Sequence, residues 1–162
     1  MRIVVTTALN RRVRRRRPQE GLFGTTAGRY GPHAVNNLEL PLPLIDDTLT
    51  RALSEDLGAG DVTTESCVPE ERLATAHGVA RKAIVVCGIP IAARVFSLID
   101  ASLQFTTKVA EGASVEPGTV LWAVEGRARS ILMAERVALN FTQRMCGIST
   151  ATRRYVAAVP EG

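Results

Sequence analysis

Apolar residues first recur at helical spacing at Ile45, Leu49, Ala52, Leu53 and Leu57, and this period of about 3.6 residues predicts a short amphipathic helix. Order is expected to begin near Pro43. Asp46 and Asp47 lie near the positive end of that helix, and Gly58 is placed to stop it. Residues 58–64 hold two glycines, which permit backbone angles that other residues avoid, and Asp61, whose carboxylate can accept from nearby amides. They predict a specific turn leading into a strand. Residues 74–87 are small or β-branched and predict one or two strands. Pro90 suits the first position of a helix with Ile91, Val95, Leu98 and Ile99 on its apolar face, ended by Asp100.

Residues 103–126 are short apolar runs broken by Glu111-Gly112, Pro117-Gly118 and Glu125-Gly126, the pattern of a small antiparallel sheet with Trp122 in the core. From Ser130 the period changes. Ile131, Ala134, Val137, Ala138, Phe141, Met145 and Ile148 keep to one side of a helix; Arg136, Asn140 and Gln143 take the other, with Leu132 and Leu139 among them. A helix that is apolar on two sides is covered twice, so a further domain or another subunit is expected against it. Gly147 is expected to interrupt this helix, with a second helical stretch over 151–159 and Pro160 closing it. The fold class that follows is α+β, a small antiparallel sheet packed against helices.

Composition narrows the function. A chain of 162 residues, 46% hydrophobic, buries the core of one domain, and 4% aromatic residues are too few for platforms that stack nucleic-acid bases. The net charge of +4 is unevenly spread. Residues 1–40 carry eight arginines against two glutamates, a net +6, and residues 41–162 carry twelve basic against fourteen acidic groups, a net −2. The arginine run 11–17 has three readings: a counterion-releasing arm for nucleic acid or anionic membrane, an organelle presequence, or a solvated extension translated from an upstream start. Because residues 21–37 show no periodicity, residues 1–42 are expected to form a basic, disordered extension with no specific nucleic-acid partner.

No apolar segment follows the arginines as a secretory or twin-arginine signal requires, and no run approaches the roughly 18–20 residues that cross a bilayer. No membrane partner is expected. Cys67, Cys87 and Cys146 are odd in number and widely spaced, as free thiols of a reducing compartment, and a cytoplasmic location is expected. His33 and His77 have no partner at metal-ligand spacing, so no metal site is expected within the chain.

Three segments resemble the quinolinate phosphoribosyltransferase family, which makes nicotinate mononucleotide for NAD biosynthesis. The first is residues 52–64, with Glu55-Asp56-Leu57-Gly58, Gly60-Asp61 and Thr63-Thr64. The second is the Gly88-Ile89-Pro90 helix start with the Glu111-Gly112 and Pro117-Gly118 turns. The third and most specific is Ala134-Glu135-Arg136-Val137-Ala138-Leu139-Asn140-Phe141, continuing through Gln143-Arg144-Met145-Cys146-Gly147-Ile148-Ser149-Thr150 to Thr152-Arg153-Arg154-Tyr155-Val156. Cys146 stands where the family more often has Ser, Ser149 stands where Ala is usual, and the first 40 residues match nothing in it.

The resemblance implies that residues 43–160 are the family's N-terminal domain and that the C-terminal α/β barrel, the source of most groups that bind phosphoribosyl pyrophosphate, magnesium and quinolinate, is absent past residue 162. It implies a pentosyltransferase that works as a homodimer in the cytoplasm with Mg2+ as cofactor, whose ligands are not in this chain. It carries over one site residue. Arg136 matches the arginine that the N-terminal domain presents to quinolinate in the partner subunit's barrel, and a planar guanidinium suits a dicarboxylate. Without the resemblance, Arg136 reads as a solvated helix face or an ion pair with Glu135 of the partner subunit. Arg144, Arg153 and Arg154 fit the same charge logic as surface or interface groups. No catalytic residue is assigned, and the chain alone is expected to be inactive. Two other readings stay open: a non-catalytic assembly module, and a biotinyl- or lipoyl-carrier-like domain, which would need Lys82 or Lys108 at an exposed hairpin tip.

Overall fold

The computed structural model describes residues 1–7, 42–58 and 62–160. The arginine run 11–17, His33 and Asp61 lie outside the described residues. In chain order the elements are β1 (Arg2–Thr7), α1 (Leu42–Leu57), α2 (Val62–Cys67), β2 (Leu73–Val79), β3 (Ile84–Val85), α3 (Ile89–Ile99), β4 (Gln104–Thr107), β5 (Ser114–Val115), β6 (Val120–Arg127) and α4 (Ala128–Ala158). The strands form a four-stranded antiparallel sheet in the order β1-β2-β6-β4 and a separate two-stranded pair, β3-β5. Helices cover one face, so the fold is the α+β arrangement that the periodicity predicts.

Core packing follows from that periodicity. Leu49 and Leu53 of α1, Val95 and Phe96 of α3, and Ile131, Ala134 and Ala138 of α4 share one buried core with Ala76, Leu121, Trp122 and Val124 of the sheet, and α1 packs on α4. Trp122 has no exposed surface and sits at the centre of an aromatic cluster, with ring centroids 5.4 Å from both Phe96 and Phe105. Its cross-strand neighbour is Gly78. A Cβ at Gly78 would fall inside the indole, so the strand carries glycine where the ring lies flat on the backbone.

Three sequence expectations are corrected. Where a disordered extension was expected over 1–42, Arg2–Thr7 instead forms β1, paired along its length with β2. Ile3, Val4 and Val5 are β-branched, and Ile3 packs on the core; the neighbouring arginines hide this short strand in any average over the segment. The turn after α1 leads into a helix, α2, not a strand. Its amide–carbonyl ladder continues to Val68, which donates to the Thr64 carbonyl, and Arg129 at the start of α4 donates through Nε to the Val68 carbonyl at 2.7 Å. Gly58 does end α1 as expected, with φ +50° and its N–H on the Ser54 carbonyl.

The third correction is Gly147, which does not interrupt α4; the helix runs unbroken for 31 residues. A mid-helix glycine costs about 1 kcal/mol relative to alanine, and side chains just beyond it offset this by anchoring the helix. The Ser149 hydroxyl donates to the Val85 carbonyl at 2.8 Å, and the Val85 N–H donates to Thr150 Oγ1 at 2.9 Å.

Helix α3 is fixed at both ends. Pro90 lies in its first turn, and the Glu111 carboxylate accepts from the N–H groups of Gly88 at 2.9 Å and Ile89 at 2.5 Å, opposite the positive helix end. Its outer side is tied to α1 by a two-pronged Arg94–Asp46 pair with distances of 2.7 and 2.6 Å. At the C-terminal end Asp100 accepts from the Ser102 hydroxyl at 2.6 Å, the Ser102 N–H at 2.9 Å and the Ser130 hydroxyl at 2.8 Å, with Arg127 at 3.3 Å. The hydrogen bonds from Ser102, then that from Ser130, and last the charge of Arg127, hold its carboxyl down at about 2 against a partial opposing effect of burial.

A carboxyl whose pKa is lower folded than unfolded stabilises the fold fully above its unfolded value, about 3.9, and loses that contribution as pH falls toward 2. Asp100→Asn is therefore expected to be less stable than the parent at pH 7 and to lose less further stability between pH 4 and pH 2. Urea midpoints at the three pH values check this. Parallel acid limbs for the two proteins would overturn it.

Candidate functional site

The site is built where the last turn of α1 meets the second turn-pair of α4. Ala134, Val137 and Ala138 fasten that stretch of α4 to the core, which turns Arg136 and Asn140 outward. Arg136 is 74% exposed, and its Nη1 donates to Asp56 Oδ1 at 3.1 Å. Among the described residues its Nε and Nη2 make no hydrogen bond. The guanidinium is thus held at one nitrogen and presents its Nε–Nη2 edge, which can grip a carboxylate with two parallel bonds.

Beside it lies a groove of about 270 Å³ lined by Ala52, Glu55, Asp56, Val137, Asn140 and Phe141. Glu55 and Asp56 sit at the carbonyl end of α1, whose last turn carries no basic residue. Two carboxylates there oppose the helix dipole by about 0.3–1 kcal/mol each, and Arg136 offsets part of this. Glu135 is half-buried; burial pushes its carboxyl up, while the neighbouring Arg136 charge pulls it down. One guanidinium among such acids can orient an anionic ligand supplied with further cations, but it cannot hold a strongly anionic one alone.

The other arginines singled out in the sequence are not brought to this groove's lining. Arg153 donates to Ser114 Oγ at 2.6 Å and to the Gly112 carbonyl at 3.0 Å, clamping the turn before β5 to α4. Arg144 and Arg154 are exposed. Leu132 and Leu139 are half-buried, and beyond Gly147 the helix exposes Ile148, Tyr155 and Val156, followed by exposed Val159 at its end. Asp56 was not legible as a site residue. It lies 80 positions from Arg136, and the one local sign of its role is the pair of acids at the unfavourable end of α1.

Lys82 follows β2 and Lys108 follows β4; in each case the next strand belongs to the other sheet, so neither lysine sits at a hairpin tip as a carrier domain requires. Among the described residues no cluster of three His, Cys, Asp or Glu side chains could hold a metal ion. The described residues offer no such set of ligands for magnesium. No helix among the described residues is long and apolar enough to cross a membrane.

Residues 61–146 match the family described as quinolinate phosphoribosyl transferase, N-terminal domain. The probable nicotinate-nucleotide pyrophosphorylase [carboxylating] of Synechocystis sp. is 40% identical over 121 residues, covering 75% of this chain and 41% of the relative. Quinolinate phosphoribosyltransferase [decarboxylating] 1b of Nicotiana tabacum is 43% identical over 103 residues, covering 63% and 29%. The crystal structure of NadC from Streptococcus pyogenes superposes with a TM-score of 0.73 at 35% identity, covering 76% of this chain and 44% of that one. The chain therefore spans less than half the length of these relatives.

Proposed function

Because the chain belongs to the quinolinate phosphoribosyltransferase family, we propose that it supplies the N-terminal, substrate-contacting and dimer-forming domain of an enzyme of NAD biosynthesis. The reaction joins quinolinate to phosphoribosyl pyrophosphate and releases nicotinate mononucleotide, pyrophosphate and carbon dioxide. The observation that carries this reading is the open Nε–Nη2 edge of Arg136 on a rigid helix.

In this reading α4 presents Arg136 to one carboxylate of quinolinate, and the segment corresponding to the remaining length of the relatives, taken from a second subunit, encloses the substrate. A charge-assisted bidentate contact contributes about 1.5–3 kcal/mol, enough to orient a pyridine dicarboxylate. It is too little to stabilise a departing pyrophosphate, so phosphoribosyl transfer needs groups from that other segment, which in the full enzyme work with Mg2+. Half-buried Leu132 and Leu139, on the same side of α4 as Arg136, support the second covering surface that a homodimer would provide. A reducing compartment, the cytoplasm, suits its three free cysteines.

Complementation tests the proposal. The 162-residue chain is mixed with the barrel segment of a family member and assayed for quinolinate consumption that depends on phosphoribosyl pyrophosphate. Turnover is expected in the mixture and in neither part alone. Turnover by the chain alone, or none in a mixture shown to associate, would overturn it.

A further inference from the structure

We propose that Cys87 and Cys146 are a modification site, a thiol pair that closes reversibly into a disulfide joining the entrance of α3 to the middle of α4. The Cys146 sulfur lies 3.3 Å from the Cys87 amide nitrogen, whose N–H it accepts, and 3.3 Å from the Cys87 carbonyl, to which it donates. With an N–Cα bond of about 1.5 Å, that sulfur is within about 4.8 Å of the Cys87 Cα, inside the reach of a cysteine side chain closing a disulfide. Closure requires the Cys87 side chain to turn toward that sulfur, which already touches its backbone on both the amide and the carbonyl side.

The backbones are also held in place. Val85 is bonded to Ser149 and Thr150 on one side of the pair, and on the other Met145 packs against Gly88, where a Cβ would stand 2.8 Å from its sulfur. Disulfides fail where the bond must distort its surroundings, and here the surroundings already hold the two residues in contact. The two thiols also differ in access, because Cys87 is half-buried and Cys146 is 2% exposed. This gives them separate roles. The Cys87 thiolate attacks one sulfur of glutathione disulfide, forming a mixed disulfide and expelling glutathione thiolate. The Cys146 thiolate then attacks the Cys87 sulfur and expels the second glutathione. Two protein thiols and one glutathione disulfide thus become one protein disulfide and two glutathiones.

Burial raises both thiols above the ordinary range, as does the Glu111 carboxylate, so exchange is slow and the pair stays reduced unless oxidised glutathione accumulates. Cys67 is exposed on α2 and is replaced in the test so that it cannot react with glutathione disulfide.

The test treats the reduced, full 162-residue chain with glutathione disulfide, quenches with an alkylating agent, and follows intact mass, peptide map and melting temperature. In a Cys67→Ser background the expected result is a loss of about 2 Da in the monomer, a tryptic crosslink between the Cys87 and Cys146 peptides, and a melting temperature raised by about 5 °C or more until dithiothreitol is added. Cys146→Ser in that background should stop at a glutathione adduct of about 305 Da on Cys87. Cys87→Ala, should Cys146→Ser fail to fold, should gain no glutathione adduct. Separate adducts or free, alkylated thiols at both positions, or a crosslink between two molecules, would overturn the proposal.

Discussion

Arg136→Lys is expected to lower kcat/KM for quinolinate by about 100-fold or more when the chain is assayed with its barrel counterpart. Lysine keeps the charge but loses the fork, so one carboxylate exchanges two parallel bonds for a single point contact. Losing the fork on a carboxylate that is held jointly with groups of the barrel forfeits up to about 3 kcal/mol, which is the factor stated. Stability moves little. The residue is 74% exposed, and its pair with Asp56 is of the surface kind that contributes about 0–1 kcal/mol. A melting temperature within about 2 °C of the parent, together with the kinetic loss, would separate a binding role from a packing role. Unchanged kinetics in a folded, associated complex would remove Arg136 from the substrate site.

Trp122→Ala is expected to destabilise the chain by about 3–4 kcal/mol, the largest effect of any single core truncation here. The indole is fully buried between Phe96, Phe105 and the bare backbone of Gly78, so its removal opens a void that no neighbouring side chain can fill by changing rotamer. Its Nε1–H is buried with no acceptor among the described residues. Trp122→Phe removes that unpaired donor along with one ring, and the two effects partly cancel. Its expected loss is below about 1.5 kcal/mol. Urea unfolding of the two variants checks the order, and equal losses would mean that the cluster packs differently.

The helices and most strands were legible because their apolar residues repeat at a period that one chain reveals by itself. Leu49 and Leu53 on α1, Ile91 and Val95 on α3, and Ile131, Ala134 and Ala138 on α4 are buried as their spacing requires. The short elements were not legible. Residues 62–67 are β-branched in part yet form α2, because a six-residue segment takes the conformation that its contact with α4 selects over its own propensity. At Gly147 the local rule favours a break, and bonds from Ser149 and Thr150 to Val85, more than 60 residues away, keep the helix whole.

Arg136 shows the same division at the site. Its outward direction follows from its place between Ala134, Val137 and Ala138, and a resemblance to a family of phosphoribosyltransferases singles it out among the arginines of α4. Asp56, the groove beside it, and the meeting of Cys87 with Cys146 were decided by tertiary structure. By itself the sequence determined the class of fold, the family and the face on which a cation stands, since periodicity and a contiguous motif are local properties. Which groups stand next to that cation depended on how separated helices and strands pack, because contacts across 59 or 80 residues leave no periodic trace in a single chain.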